Sequence, residues 1–397
     1  MKPVRPSGSS QLGFGFDEAA PADKPLRKQA AAKRPTAAAR GTAAPAPQAL
    51  HLAFGAAAEA QALADAPVPV GASAARPVAS IVVPTIAPPG APTVSNNADS
   101  AEAMALQLEA HADYRVLRRL LPRLEFAAAS GPVATLLVLD TETTGLNPAR
   151  DKIVELALLR VTVDLASGQP VGRVEVYDGL EDPGMPMPDE AREITGITDD
   201  MLRGQRLDEA RVRALLEGVD LVLAHNAGFD RPFVEARLPQ FTTLDWACSF
   251  ADIDWKQEGR GSSKLTALAH ELGLFYDAHR AEMDCHALLA VLMATLPSTQ
   301  ASGLSRLIDA SRNPTYRLQA TNAPFDAKDV LKARGYRWDG TQKVWHTRLA
   351  SEATLALECT WLKASVYNGR SARVQLEEMD ARTRYSSRPG RLSQREL

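Results

Sequence analysis

From Val133 to about Leu296 the chain alternates short apolar runs with longer stretches of helical periodicity. TLLVLD, IVELALLRVTV and RVEVYDGL are compact apolar runs joined by short polar turns, and they predict three successive strands. LDEARVRALLEGV spaces its apolar residues three and four apart, which predicts a helix leading into the apolar strand DLVLAHN. SSKLTALAHELGL and AEMDCHALLAVLMATL repeat the helical spacing. Three consecutive strands followed by αβ alternation predict an α/β domain over residues 131–298, a mixed sheet covered by helices.

The pattern changes on either side of this domain. In AEAMALQLEAHADYRVLRRLLPRLEF, Leu106, Tyr114, Leu117, Leu120 and Leu121 recur at helical spacings, which predicts a packing helix within 101–130. Residues 314–370 predict a small α+β domain. In it YRLQAT is a strand, DAKDVLKARG a helix, YRWDGTQKVWHTRL a hairpin turning at Asp339-Gly340, and EATLALECTWLKASVY a second helix. The polar, arginine-rich residues 371–397 are expected to be a flexible tail.

Composition changes the picture mainly at the amino-terminal end. Residues 1–100 are rich in Ala, Pro, Gly and Ser with few large apolar side chains, so they are expected to form a disordered arm. Its basic residues Lys24, Arg27, Lys28, Lys33, Arg34 and Arg40 suit either weak attraction to nucleic acid or a solubilising tail. The net charge of −3 hides this uneven distribution and decides nothing about partners. Three widely spaced cysteines, Cys248, Cys285 and Cys359, make neither a disulfide framework nor a zinc site, which points to the reducing cytoplasm. No run of about eighteen apolar residues predicts a membrane span, and MKPVRPSGSS lacks the apolar core of a signal peptide.

The candidate chemistry begins where the first strand ends. In LLVLDTETTGLN, Asp140 and Glu142 are two residues apart, and strand alternation points them to one side, where they repel unless a cation lies between them. A hard divalent ion such as Mg²⁺ suits such a pair, because it takes one or two carboxylates and leaves positions for water and a phosphate. Taken alone, the pair reads better as an acidic cap on the loop leading to Gly145, and it is the rest of the chain that changes this. Two further elements follow: Asp230 at the end of HNAGFD, readable also as a simple helix N-cap, and His279 and Asp284 in HRAEMD at the start of another helix.

The ordered set DTETTG, HNAGFD and HRAEMD resembles the three motifs of the DEDD superfamily of 3′→5′ exonucleases in its histidine-containing DEDDh branch, and is most similar to proofreading epsilon-type members. The resemblance covers residues 133–296. It implies a ribonuclease H-like fold, a mixed sheet of five strands flanked by helices. It also implies two Mg²⁺ or Mn²⁺ ions, with Asp140 bridging them, Glu142 and Asp284 completing the first site, and Asp230 acting directly or through water. His279 would be the general base. The implied substrate is the 3′ end of single-stranded or frayed nucleic acid, with DNA favoured and nucleoside 5′-monophosphates released. Thr143 and Gly145 most simply form the turn, with backbone that would also hold the terminal nucleotide, and Leu146 would be a wedge against its base; Asn226 would position the substrate loop, and Phe229 reads as core or, alternatively, as stacking near the base. Thr195 stands where the family often has histidine before Gly-Ile-Thr.

Two features outside this domain bear on partners. QLGFGF, Gln11 to Phe16, resembles the glutamine-leucine-hydrophobic peptides that attach bacterial replication and repair proteins to the sliding clamp, with glycines where that motif is usually less flexible. In the carboxyl-terminal domain Lys328, Lys332, Arg334, Tyr336, Arg337, Trp338, Lys343, Trp345, His346 and Arg348 interleave basic and aromatic residues. That mixture suits a single-strand-binding surface or, equally, a small core with a charged exterior. Rival functions are an RNA-trimming exonuclease of the same fold, a phosphatase using Asp140 as nucleophile, and a non-catalytic adaptor between clamp and DNA. The phosphatase leaves His279 and Asp284 unexplained, and the adaptor leaves the four carboxylates without a purpose.

Overall fold

The computed structural model describes residues 96–397. The Gln11–Phe16 peptide and the arm preceding residue 96 lie outside the described residues. In chain order the first elements are α1 (Asn96–Glu109), β1 (Arg118–Arg119), β2 (Val133–Thr143), β3 (Ile153–Asp164) and β4 (Gln169–Leu180). There follow α2 (Asp189–Thr195), α3 (Asp199–Leu202), α4 (Glu209–Leu216), β5 (Leu221–Ala224), α5 (Ala227–Arg237), β6 (Trp246–Cys248) and α6 (Ser249–Asp252). The domain closes with α7 (Leu265–Glu271), β7 (Leu274–Phe275), α8 (Ala281–Met293) and α9 (Gly303–Ser311).

The central sheet has the order β4-β3-β2-β5-β6. β2, β3 and β4 are antiparallel neighbours, whereas β5 and β6 join in parallel, giving the expected mixed five-stranded sheet flanked by helices. β2 is buried on both faces, with Leu136, Leu137, Val138 and Leu139 fully inaccessible, which is why it reads as an unbroken apolar run. Leu136 and Val138 pack with Cys285, Leu288 and Leu292 of α8, while Leu137 and Leu139 pack with Val212 of α4 and Phe233 and Val234 of α5. Strand alternation therefore carries Asp140 and Glu142 to the α8 side of the sheet, and Thr141 to the α5 side.

The 101–130 segment departs from the expected packing helix. α1 ends at Glu109, and Arg118–Arg119 pairs in parallel with β7. Of the five periodic residues only Leu120 is buried, while Leu106, Tyr114 and Leu121 stand exposed. The pairing of Arg118 with Leu274 is a tertiary contact that local periodicity cannot register, and Pro122 ends any helix there.

The carboxyl-terminal sheet is built from β8 (Thr315–Ala320), β9 (Arg337–Asp339), β10 (Val344–Leu349), β11 (Arg373–Met379) and β12 (Arg391–Glu396), in the antiparallel order β12-β11-β8-β10-β9. Two helices, α10 (Lys328–Ala333) and α11 (Glu352–Ser365), supply Leu331, Leu355 and Leu362 to its core. The strand, helix, hairpin and helix expected within 314–370 all form. Residues 371–397, however, are not a flexible tail: they contribute β11 and β12.

Between those strands, residues 380–390 dock on the domain built around the central sheet. The fully buried Arg231 guanidinium donates to the carbonyls of Ala381 at 3.1 Å, Arg382 at 2.5 Å and Arg384 at 2.7 Å. It also pairs with Glu235 at 2.7 Å and lies 5.1 Å from the Trp246 ring. Tyr385 donates to Asp252 at 2.5 Å. No helix among the described residues is long and apolar enough to cross a membrane.

Candidate active site

The end of β2 meets the start of α8. Asp140, Glu142 and Asp284 each offer a carboxylate oxygen within 4.8 Å of the others. Asp284 lies in the first turn of α8, and both of its oxygens are held: Tyr276 Oη donates to Oδ1 at 2.8 Å, and the His279 backbone N–H donates to Oδ2 at 2.8 Å. His279 precedes the helix with φ of 67°, in the left-handed region that non-glycine residues seldom occupy. Its bond to Asp284 fixes that conformation and leaves the imidazole exposed beside the cluster.

Asp230 approaches from the opposite face. It is not an N-cap: α5 begins at Ala227, its cap is Asn226 with φ of 68°, and Asp230 sits in the first turn, buried. Its Oδ1 accepts from Thr141 Oγ1 at 2.7 Å, so β2 grips Asp230 from one face while presenting Asp140 and Glu142 on the other. Asp230 lies outside the close triad, yet its charge acts on it.

Burial and mutual repulsion dominate the electrostatics. Burial first, then the charges of Asp230, Asp284, Glu142 and Glu155, push Asp140 well above the usual carboxylate range. Burial, with repulsion from Asp284 and Glu155, raises Glu142 to about 8. Burial lifts Asp230 to about 7 against the hydrogen bond from Thr141, and it also lifts Asp284. Among the described residues no Lys or Arg forms an ion pair with any of the four. A set of oxygen donors that cannot all ionise without a counter-charge is a fitting donor set for hard divalent cations.

Two residues of this site escaped the sequence reading. Tyr276 orients Asp284, as above. Glu155, fully buried on β3 and paired in register with Glu142, binds Arg280 in a two-pronged contact, Nη2 at 2.7 Å and Nε at 3.0 Å from Oε1, and accepts the Ala281 N–H at 2.9 Å. It thereby fixes the entry to α8 and His279 with it. The available signal was a glutamate at a position where IVELALL otherwise demands an apolar residue.

The turn after the carboxylates is tightly specified. Thr143 Oγ1 donates to the Gly145 carbonyl at 2.6 Å, and Thr144 exchanges bonds with Lys152 at 2.9 and 3.0 Å. A Cβ on Gly145 would lie 2.6 Å from Asp151 Oδ2, an oxygen already accepting the Asn147 N–H at 2.8 Å, so glycine is required there. Leu146 beyond it is 73% exposed. The Asn226 side chain makes no capping bond, and Phe229 is half-buried with its ring 5.2 Å from Phe233. His225 Nδ1 lies 2.7 Å from Ser249 Oγ, and burial lowers its pKa to about 4, a structural role. His286 is buried with Nε2 3.6 Å from Glu282. Thr195 is buried and closes its own turn, donating to Ala191 and accepting from the Ile197 N–H.

Residues 137–292, the span that carries β2, Asp230, His279 and Asp284, match the family model RNase_T, described as Exonuclease. Over these residues the chain is similar to that exonuclease family. A curated relative, the PolC-type DNA polymerase III of Thermotoga maritima, is 29% identical over 185 residues, 45% of this chain and 13% of that protein. A DNA polymerase III subunit epsilon-like protein of Rhodobacter capsulatus is 34% identical over 196 residues, 46% of this chain and 27% of the relative. The chain thus spans only a minor part of the length of each of these relatives. Among solved structures, exonuclease X in complex with 5′ overhanging duplex DNA is 22% identical over 43% of this chain and 99% of that one, with a TM-score of 0.30.

Proposed function

We propose that this chain is a divalent-cation-dependent 3′→5′ exonuclease that hydrolyses terminal phosphodiesters of single-stranded or frayed DNA and releases nucleoside 5′-monophosphates, in replication proofreading or repair. The convergence of Asp140, Glu142 and Asp284 within 4.8 Å, with His279 tied to Asp284, carries the reading. The DNA preference is supported by the polymerase-associated names of the curated relatives.

Asp140, Glu142 and Asp284, with Asp230, would hold two Mg²⁺ or Mn²⁺ ions. Such ions, when bound, stabilise charge developing on the phosphate and lower the pKa of water. The chain's own contribution is to keep four carboxylates close despite their repulsion, through Thr141 on Asp230 and Tyr276 and the His279 N–H on Asp284. The His279 imidazole accepts the proton of the attacking water, the task of a general base. Leu146, exposed at the mouth, packs against the terminal base, and the bare Gly145 backbone lets the sugar approach. Asn226, its amide unused in capping, and Phe229 complete the contact with the penultimate nucleotide.

The test is hydrolysis of 5′-labelled single strands of DNA and RNA with Mg²⁺, Mn²⁺ or EDTA, beside Asp140→Ala. Stepwise shortening of DNA from the 3′ end, dependent on metal and absent in the variant, is expected. Equal inertness of both proteins under every condition would overturn the proposal in favour of a non-catalytic adaptor, and selective trimming of RNA would overturn the DNA assignment.

A further inference from the structure

The carboxyl-terminal domain carries a cavity of about 690 Å³ whose chemistry the catalytic site does not use. It lies at the end of β8 and β11 remote from the docked 380–390 segment. Thr315 pairs with Met379 at the docked end, whereas Thr321 and Arg373 line the cavity at the other. Its walls are braced across the chain: Tyr367 Oη donates to the Thr321 carbonyl at 2.7 Å, and Thr321 Oγ1 donates to the Arg373 carbonyl.

Its lining is cationic. The residues that line the cavity include two arginines, Arg370 and Arg373, and no aspartate or glutamate. Neither arginine forms an ion pair with a described residue. Elsewhere in this domain arginines are matched to acids, as in Arg317–Asp339, Arg334–Glu358, Arg391–Glu378 and Arg395–Glu352. The acid facing Arg373 across the strands is its register partner Glu396, which accepts from Ser371 at 3.0 Å and forms no ion pair with Arg373. Immediately after the lining residue Pro324, Phe325 stands 84% exposed, with Lys328 Nζ 4.7 Å from its ring centre. The amides of Asn322, Asn368 and Gln394 supply donors and acceptors between these cations.

The basic and aromatic hairpin region singled out in the sequence divides between core and surface, with Trp338 52% exposed. Tyr336 is buried, Arg334 is paired with Glu358, and Trp345 packs against the core with Trp338 5.5 Å away.

Unpaired planar cations for phosphate, an exposed aromatic face for a base and amides for base edges together match single-stranded nucleic acid. We infer that Arg370, Arg373 and Phe325 form a second nucleic-acid site, which holds single-stranded substrate upstream of the end being cut. The inference rests on the exonuclease reading for its biological meaning, but its test does not require turnover.

Binding of a labelled oligo-dT of about thirty nucleotides is measured by fluorescence anisotropy on the full chain carrying Asp140→Ala, in EDTA, across a salt series. A failed exonuclease assay leaves this measurement readable. Adding Arg370→Glu and Arg373→Glu should weaken binding roughly tenfold or more, and should reduce the slope of log K against log salt by about 1.4, at about 0.7 per lost phosphate contact. Phe325→Ala should weaken binding at least about fivefold with the slope unchanged, because stacking releases no counterions. Should charge reversal lower the melting temperature, Arg370→Gln with Arg373→Gln carries the same expectation. Unchanged affinity and slope in a folded double variant would overturn the inference. So would loss of polyglutamate binding with oligo-dT binding intact, which would assign the groove to an acidic protein partner.

Discussion

Removing divalent metal should make this protein less stable as the pH rises above neutrality, and Glu142→Gln should reduce that dependence. Glu142 is raised from 4.5 to about 8, chiefly by burial and then by Asp284 and Glu155. Between those values the folded state holds a proton that the unfolded chain releases. The stabilisation from that proton is complete below pH 4.5 and disappears as pH rises through about 8. Buried His225, lowered to about 4, acts in the opposite sense below its unfolded value of 6.5, so the informative window is pH 6.5 to 8. Across it Glu142 alone contributes about 2 kcal/mol at 1.36 kcal/mol per pH unit, or a fall in melting temperature of roughly 4–8 °C. Asp230, raised to about 7, adds to the same slope at its lower end. The assay is thermal unfolding in EDTA and in Mg²⁺ at several pH values, for wild type and Glu142→Gln. Wild type in EDTA should slope downward, Mg²⁺ should flatten the slope, and the variant in EDTA should slope less steeply than wild type because only Asp140, Asp230 and Asp284 remain to contribute. A wild-type curve in EDTA that is flat or rising over the window, or a variant with the wild-type slope, would refute the reasoning.

Three further outcomes can be measured directly. His279→Ala should lower kcat by about 10²–10⁴ while leaving DNA affinity intact, and an equal loss of both would contradict its assignment as base. Glu155→Gln weakens the hold on Arg280 and should reduce kcat on the order of 10- to 100-fold through misplacement of His279, with little change in KM; unaltered kcat would separate the pair from catalysis. Arg231→Ala strips the donor from three carbonyls of the docked segment and should destabilise the chain by more than about 3 kcal/mol in urea, whereas a loss below about 1 kcal/mol would show the docking to be superficial.

The strands and helices around the site were legible because β2 and α8 are long and strongly patterned, and because period-two alternation alone puts Asp140 and Glu142 together. Contacts between distant segments were not legible. Thr141 with Asp230, and Glu155 with Arg280, are separated by 89 and 125 residues, and nothing local marks them beyond a polar residue in an apolar run. The 371–397 stretch was misread for a related reason. β12 is an edge strand whose side chains are almost all exposed, so RLSQRE lacks any apolar alternation, and its place in the sheet is fixed by pairing with β11 and by Arg395 reaching Glu352. The helix expected within 101–130 shows the opposite failure, since its leucines keep helical spacing while the backbone at Arg118–Arg119 is captured by β7.

The carboxylate cluster as a cation site is tested most directly by titrating Mn²⁺ into the wild-type protein and into Asp140→Asn by calorimetry at neutral pH. Saturable binding by wild type that is lost in the folded variant is the predicted result. Identical binding by both, or none by either, would contradict it.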